Sequence, residues 1–434
     1  MAAKNLSGAG VLYSDRRNFY LSPNVVQELW TDVAPFTTMV SNRNTVTGLA
    51  DPLFKLFEHR QPWVKQQFNI TGAFVVPNND TGIGSVTIGT IVGLAATLDS
   101  SYLGLIGEVW DATLTTKRGV ALIAAVNGST DLTLKLLGTT AFTTVSGDYF
   151  LVVGNGQGEG SVAPDAWADE LKVVYGSTQM LETPVEVTGI LYQAALRGYS
   201  KELERLRMSK NQEHKMQIER TLLFGQSVIG TGLADSRDGT SNESFSDTSR
   251  TVGGLAVRTT MGLVTAIEKY GATSGDDQNI FQVPEATYKY SNFVDDMEKV
   301  FHYYPDGGVK YAFCGPGAMS YWSKLDGSMF FTGKSGWQVK IGDTQRDSLG
   351  YSIRMLETPH GVLALAPTPA LRGPYNKKMI VVSDSHLSLV QYEAPQFKVN
   401  IKTDNGYKGE KDVYFDDCGL GMTLIESHKE FNIV

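Results

Sequence analysis

The chain is short of cysteine, of charge and of long apolar runs. Its 434 residues hold two cysteines, Cys314 and Cys418, and neither has a second Cys or a His at metal-ligand spacing. That excludes a disulfide framework and argues against a zinc site; both read as small buried hydrophobes, and a reducing cytoplasm at synthesis fits. Charged residues are 19% against 42% hydrophobic, and the net charge is −8. A broadly basic surface that captures nucleic acid by neutralising phosphates is therefore not expected. No run of about 18 apolar residues occurs, and Met1 to Gly10 lack a basic-then-apolar signal, so the expectation is a chain neither spanning a membrane nor secreted. The six histidines (His59, His214, His302, His360, His386, His428) are scattered, with no HExxH pair. No proline occurs between Pro184 and Pro284.

The motifs that suggest chemistry fail on inspection. Gly327-Ser328-Met329-Phe330-Phe331-Thr332-Gly333-Lys334-Ser335 approaches a P-loop, but Ser328 occupies the required glycine position and no buried strand precedes it. The run Gly154 to Gly160 follows a strand but carries Glu159 where a dinucleotide fingerprint needs its third glycine. Acidic pairs Asp276-Asp277, Asp295-Asp296 and Asp416-Asp417 read as solvated loops or helix starts rather than cation sites. No nucleophile elbow and no paired catalytic carboxylates appear. Neither an enzymatic activity, nor a cofactor, nor a metal is expected.

Glycine (45 residues) and threonine are abundant instead, as suits a β-rich chain. Residues 1–50 read as an arm that cannot bury a core of its own, with Val25 to Trp30 fit for a turn or two of helix. In Asp131-Leu132-Thr133-Leu134-Lys135-Leu136 the leucines share one face, the period-2 signature of a half-buried strand. Weaker strands at Val86–Ile88, Glu108–Trp110, Val120–Ile123 and Tyr149–Val153, separated by turn residues, suggest a small barrel or sandwich. Ser200 to Gly225 predicts a long helix, N-capped by Ser200 and stopped at Gly225, with Glu202/Arg205 and Lys215/Glu219 at helical spacing. It would be a rod of roughly 36 Å. Its centre, Lys210 to Lys215, is nearly all polar, so no single apolar stripe runs its length. Residues 226–250 read as a loop, 255–270 and 289–302 as helices, and Tyr311–Cys314 as a buried strand feeding a helix at Pro316. Strands are expected again at 362–365, 379–382, 387–390 and 398–401.

Tyr175-Gly176-Ser177-Thr178-Gln179-Met180, then Glu182-Thr183-Pro184-Val185-Glu186-Val187-Thr188-Gly189, then the charged helix ending Gln217-Ile218-Glu219-Arg220-Thr221-Leu222-Leu223-Phe224-Gly225 form a familiar order. It resembles the major capsid proteins of tailed bacteriophages with the Hong Kong 97-type fold, in which a strand-rich loop feeds a spine helix. Asp51 to Glu58 looks like the start of the extended loop, Gly253-Gly254-Leu255 like the return to the axial domain, and Glu426 to Asn432 like the C-terminal strand end. The specific likeness covers about fifty residues; the rest agrees by order of elements.

The resemblance implies an α+β capsid fold with an N-terminal arm at 1–50 and an extended loop at 51–182. A peripheral domain follows at 183–254, with its spine helix at about 200–224, then an axial domain at 255–387 and C-terminal strands at 388–434 that return to the peripheral domain. The extended loop carries roughly 70–90 residues beyond the minimal pattern, read as an inserted small β domain at about 82–160. The implied function is a structural subunit of an icosahedral shell, assembling into pentamers and hexamers around double-stranded DNA. Implied partners are other copies of the chain, a separate scaffolding protein, a portal and, optionally, a cement or decoration protein. Packaged DNA is touched only weakly and no membrane is involved. The expected place is the virion, after synthesis in a bacterial cytoplasm. Residues expected at contacts between subunits are Trp30, Phe54, Phe57, Glu58, Arg60, Glu202, Arg205 and Arg207. The competing readings are an encapsulin-like compartment shell and a β-rich carbohydrate-binding protein or enzyme. The latter needs aromatics in one cleft, whereas Trp30, Trp63, Trp110, Trp167, Trp322 and Trp337 are scattered.

Overall fold

Short apolar runs such as Tyr311–Cys314 and Met379–Val382 carry no helical period, and they form strands covered on both faces. The computed structural model describes residues 34–59, 67–77, 84–91, 100–128, 131–160, 171–190, 202–227, 251–275, 277–302, 308–324, 345–346, 352–401 and 409–434. The chain divides into two units, Met1–Glu58 with Val173–Val434, and His59–Lys172. Helices of the first unit are α1 (Pro35–Arg43), α2 (Glu202–Phe224), α3 (Leu263–Tyr270), α4 (Tyr290–Val300) and α5 (Pro316–Lys324).

A seven-stranded mixed sheet runs in the order Ile280–Val283, Lys429–Ile433, Lys378–Val382, Val309–Cys314, Val362–Pro367, Ser352–Glu357, Gln345–Arg346. Alternation sends Tyr311, Phe313, Ile380 and Val382 to one core, with Phe36 and Met39 of α1, Leu222 and Leu223 of α2, and Leu263 and Ile267 of α3. Ala312, Cys314, Met379 and Val381 go to the other, under Phe293 and Met297 of α4 and Trp322 of α5. Two buried faces explain the nearly continuous apolar runs. Cys314 and Cys418 are both buried and free, and burial pushes both thiols up from their ordinary range.

A second, four-stranded sheet has the order Thr45–Thr47, Leu387–Lys398, Gly409–Met422, Gln179–Thr188. Helix α2 lies on it. The polar centre of α2 is accommodated by matching polar groups: buried His214 bonds Thr183 through Nδ1 at 2.9 Å, and Thr183 also donates to Gln217 at 3.1 Å. Burial lowers the His214 pKa. Gly225 does end α2, but by close approach: a Cβ at Gly262 would lie 2.4 Å from the Gly225 nitrogen, so only glycine lets the end of α2 meet the start of α3.

Several expectations need correction. The helix expected over 255–270 covers only Leu263–Tyr270, because Gly253 and Gly254, at φ 60° and 82°, turn a small hairpin that places Leu255–Ala256 in a strand. The strand expected at 398–401 ends at Lys398, where Asn400 takes φ 53°. The last strand, Lys429–Ile433, expected to return to the sheet of α2, pairs instead with Ile280–Val283 and Lys378–Val382 in the seven-stranded sheet. Its Phe431 and Ile433 find their apolar core there. The P-loop-like stretch, all but the first two residues of the 226–250 loop, the expected helical turns at 25–30 and the Ser200 cap fall outside the described residues.

The second unit holds a closed six-stranded barrel in the order Tyr149–Asn155, Gln67–Ile70, Gly84–Ile91, Asp131–Leu136, Lys117–Asn127, Leu105–Trp110. Leu132 and Leu134 point inward as periodicity requires. Phe68 and Phe150 stack at 4.8 Å in its core, and Gly107 makes room for the second ring. The strand Gln67–Ile70, upstream of the 82–160 span, pairs with both Tyr149–Asn155 and Gly84–Ile91 and so completes the barrel.

Candidate assembly surfaces

Strand Leu53–Glu58 pairs with Lys172–Ser177 in a two-stranded ribbon. Its burial alternates, with Phe54 and Glu58 inward and Lys55 and Phe57 outward. Phe54 is buried, its ring lying over Gly176, where a Cβ would come within 2.3 Å. Phe57 is 64% exposed. Glu58 is buried and accepts the Leu424 N–H at 3.0 Å.

Arg207 anchors the N-terminal half of α2. Its Nε donates to Asp412 at 2.8 Å, a second nitrogen donates to Glu410 at 3.0 Å, and its guanidinium lies 5.6 Å from the Phe397 ring centre. The bond to Asp412, the contribution of largest effect, raises the Arg207 pKa further. Arg205 is half-buried on the same helix, whereas Trp30, Arg60 and the Glu202 side chain lie outside the described residues. Among the expected contact residues, Phe54, Glu58 and Arg207 thus have work within their own subunit, and Phe57 stands open.

Glu219 shows a role the spacing does not reveal. Helix α1 begins with Pro35 and has no side-chain cap of its own. The Glu219 carboxylate accepts the N–H groups of Phe36 (3.1 Å) and Thr37 (2.7 Å) and the Thr37 hydroxyl (2.7 Å), capping α1 from a helix 182 residues away. A negative group at the positive end of a helix is favourable. Burial nonetheless raises its pKa against the pull of those bonds. The available signal is a carboxylate on the apolar face of α2, beside Ile218 and one turn from Leu222 and Leu223.

Asp416 and Asp417, read from sequence as a solvated pair, are buried in the strand Gly409–Met422. Arg258 donates to Asp417 at 2.9 Å. Among the described residues no group of three or more His, Cys, Asp and Glu is placed to hold a metal, and no helix is long and apolar enough to cross a membrane.

The family model described as SU10 major capsid protein matches residues 21–423. The chain belongs to that family. It is a structural subunit of a bacteriophage capsid, and its order of ribbon, long helix and two sheets is that of the Hong Kong 97-type α+β fold. No curated protein matches the chain. Among solved structures it is similar to the capsid of a native GTA particle, at 8% identity and TM-score 0.44, covering 99% of each chain. It is also similar to the cyanophage Pam1 capsid, at 9% identity and TM-score 0.38 over 64% of this chain and 82% of that one. The SrpI encapsulin complex of Synechococcus elongatus matches at 11% identity and TM-score 0.38, over 62% and 77%.

Proposed function

We propose that this capsid subunit assembles into pentamers and hexamers of an icosahedral shell around double-stranded DNA, synthesised in the bacterial cytoplasm and acting without catalysis. In this reading the four-stranded sheet with α2 is the peripheral domain and the seven-stranded sheet the axial domain. The ribbon at 53–58 and 172–177, carrying the barrel, reaches over a neighbouring copy. The observation that carries the reading is Phe57, a large apolar side chain left exposed on an otherwise ordered ribbon. Closed rings of copies supply partners for such a group through heterologous contacts, and permanent assemblies bury more than roughly 2,000 Å² in total. A scaffolding protein, a portal and, optionally, a cement protein complete the set of partners, and the negative chain contacts DNA weakly.

Electron microscopy of the chain co-expressed with its scaffolding protein tests this directly. Closed shells or rings of five and six are expected; a compact monomer under the same conditions would refute it. The barrel's role is tested by replacing 59–172 with a short turn, since removing 82–160 alone would strip Gln67–Ile70 of both partner strands. The remaining unit should stay folded while assembly weakens or goes astray. Normal shells from that variant would refute a clamping role and leave the capsid function intact.

A further inference from the structure

The chain crosses between the two sheets of the first unit through two short connections. One follows strand Lys378–Val382 at residues 383–386, and the other precedes strand Lys429–Ile433 at 423–428. Each contains a single tight turn, Asp384–His386 and Ile425–Ser427. The two connections bind each other. Thr423 N–H donates to the His386 carbonyl (3.1 Å), His386 Nδ1 bonds the Ser427 hydroxyl (3.1 Å), and Ser383 N–H donates to His428 Nδ1 (3.4 Å). Leu424 is held at φ 49°, its N–H on Glu58.

This crossing is unusually rich in basic groups. Lys310 is buried, its Nζ donating to the carbonyls of Ser427 (3.1 Å) and Val300 (2.8 Å). Lys429 is buried and donates to the Gln278 carbonyl at 2.7 Å. His428 is wholly buried; with Nδ1 accepting, its proton sits on Nε2, which finds no partner. The carboxylates around the group are Asp384, Glu426, Asp277 and Glu58, and a further cation, Lys299, faces Lys429. Asp384 is engaged by Arg43 at 3.6 Å. Burial first, then the neighbouring bases, hold His428 well below its ordinary pKa; burial and Lys310 lower His386 against the pull of Asp384 and Glu426. Lys310 itself is brought down to about 7 and Lys429 to about 8, in both cases chiefly by burial.

We propose that the paired connections are a titratable joint between the two sheets, closed while His386 and His428 are neutral and opened when they take up protons. A protonated His428 no longer accepts the Ser383 N–H and places a charge in the interior beside Lys310 and Lys429. Protonated His386 adds a further cation to the same group. The ladders of both sheets consist of backbone bonds away from this crossing, so the joint yields before either sheet does. Its consequence for a shell, an acid-dependent angle between the two sheets of each subunit, rests on the function proposed above. The joint itself does not.

Hydrogen exchange of the full-length chain, corrected for the intrinsic pH dependence of exchange, reads the joint directly. Between about pH 7.5 and about pH 5.5, amides at 383–386 and 423–428 should lose about tenfold or more of their protection, while the paired strand amides at 387–390 and 419–422 and those at 213–222 in α2 keep theirs. In the double variant His386→Asn/His428→Asn neither side chain titrates. At position 428 the amide oxygen can accept as Nδ1 does, and at position 386 the amide nitrogen can donate to the Ser427 hydroxyl, which itself donates to the Leu424 carbonyl. Its connections should show no such loss. An equal loss in the double variant, or none in the unmodified chain, overturns the proposal. Should the variant not fold, the ring-proton resonances of the two histidines in the unmodified chain decide. Titration of both in step with the loss of protection supports the joint; loss without titration overturns it.

Discussion

The two sheets of the first unit solve the same problem differently. The seven-stranded sheet is covered on both faces by helices of its own chain, and its central strands are almost wholly buried. The four-stranded sheet is covered only at one end. Leu387, Leu389, Leu420 and Met422 join the first core, but residues 393–401 are exposed without a break. There the sheet is held to α2 by the Arg207 ion pairs and a small cluster of Val185, Val187 and Leu203. Its outer edge is guarded: Thr45–Thr47 covers only Leu389–Gln391, and beyond it come two register breaks and Pro395. Irregularity and proline on an open edge discourage stray strand pairing. The first sheet is thus covered on both faces by its own chain, and the second is covered where α2 lies on it but leaves residues 393–401 open.

That contrast is broken most severely from the two-sided sheet. Phe313 is fully buried and meets Phe36 of α1 edge-on at 5.3 Å. Phe313→Ala should cost about 3–5 kcal/mol in urea unfolding, through lost transfer energy and the cavity left behind. At the uncovered end the damage is ionic. Asp412 has no exposed surface, and beside the Asn400 N–H it is held by the Arg207 guanidinium, so Arg207→Met leaves a buried carboxylate without that counter-charge and should cost roughly 3 kcal/mol. Asp412→Asn leaves Arg207 with Glu410 and should cost clearly less. Equal losses in the two variants would mean that the shared Arg207–Asp412 bonds, rather than the uncompensated buried charge, set the cost.

A third change reverses the sign. Asp416 is 3% exposed, and one of its oxygens has no partner. Burial, with the like charge of Asp417 behind it, lifts its pKa from 3.8 to about 6. The folded chain therefore binds this proton more tightly than the unfolded chain. The contribution to stability is present below about pH 4 and is lost as pH rises through about 6. Asp416→Asn should then stabilise by about 3 kcal/mol at pH 7.5 and by well under about 1 kcal/mol at pH 4. A gain independent of pH would show that the unpartnered oxygen, not the charge, carries the cost.

What sequence revealed divides along the same line. The strand Asp131–Leu136 and the helix Glu202–Phe224 emerge at the expected positions because local signals fix each, a two-residue period in the strand and charge pairs at helical spacing with a glycine stop in the helix. Barrel closure depends on Tyr149 finding Asn69, a pairing that no local pattern encodes. The buried charges were hidden for the same reason: Glu219 and Phe36, or Arg207 and Asp412, are each about 180 residues or more apart. A lone carboxylate or a buried lysine looks like a surface residue until its partner is located. The overextended helix at 255–270 is a different failure, since its composition allows helix and two glycines at positive φ decide otherwise.

The mildest change isolates what the second sheet and its ribbon leave open. Phe57 occupies the outward side of the ribbon strand, next to buried Glu58 and three residues from buried Phe54. With 64% of its surface exposed, it gives the isolated subunit little. Phe57→Ser should move unfolding of the unassembled chain by no more than about 0.5 kcal/mol. An aromatic group buried at the centre of a contact costs 2 kcal/mol or more when truncated, so each contact formed by this ring would weaken about thirtyfold. The threshold concentration for shell formation should rise accordingly while the melting temperature of the free subunit stays put. An unchanged threshold would remove Phe57 from the contact and leave Arg205 as the described contact residue from sequence still to be tested, on the helix rather than the ribbon.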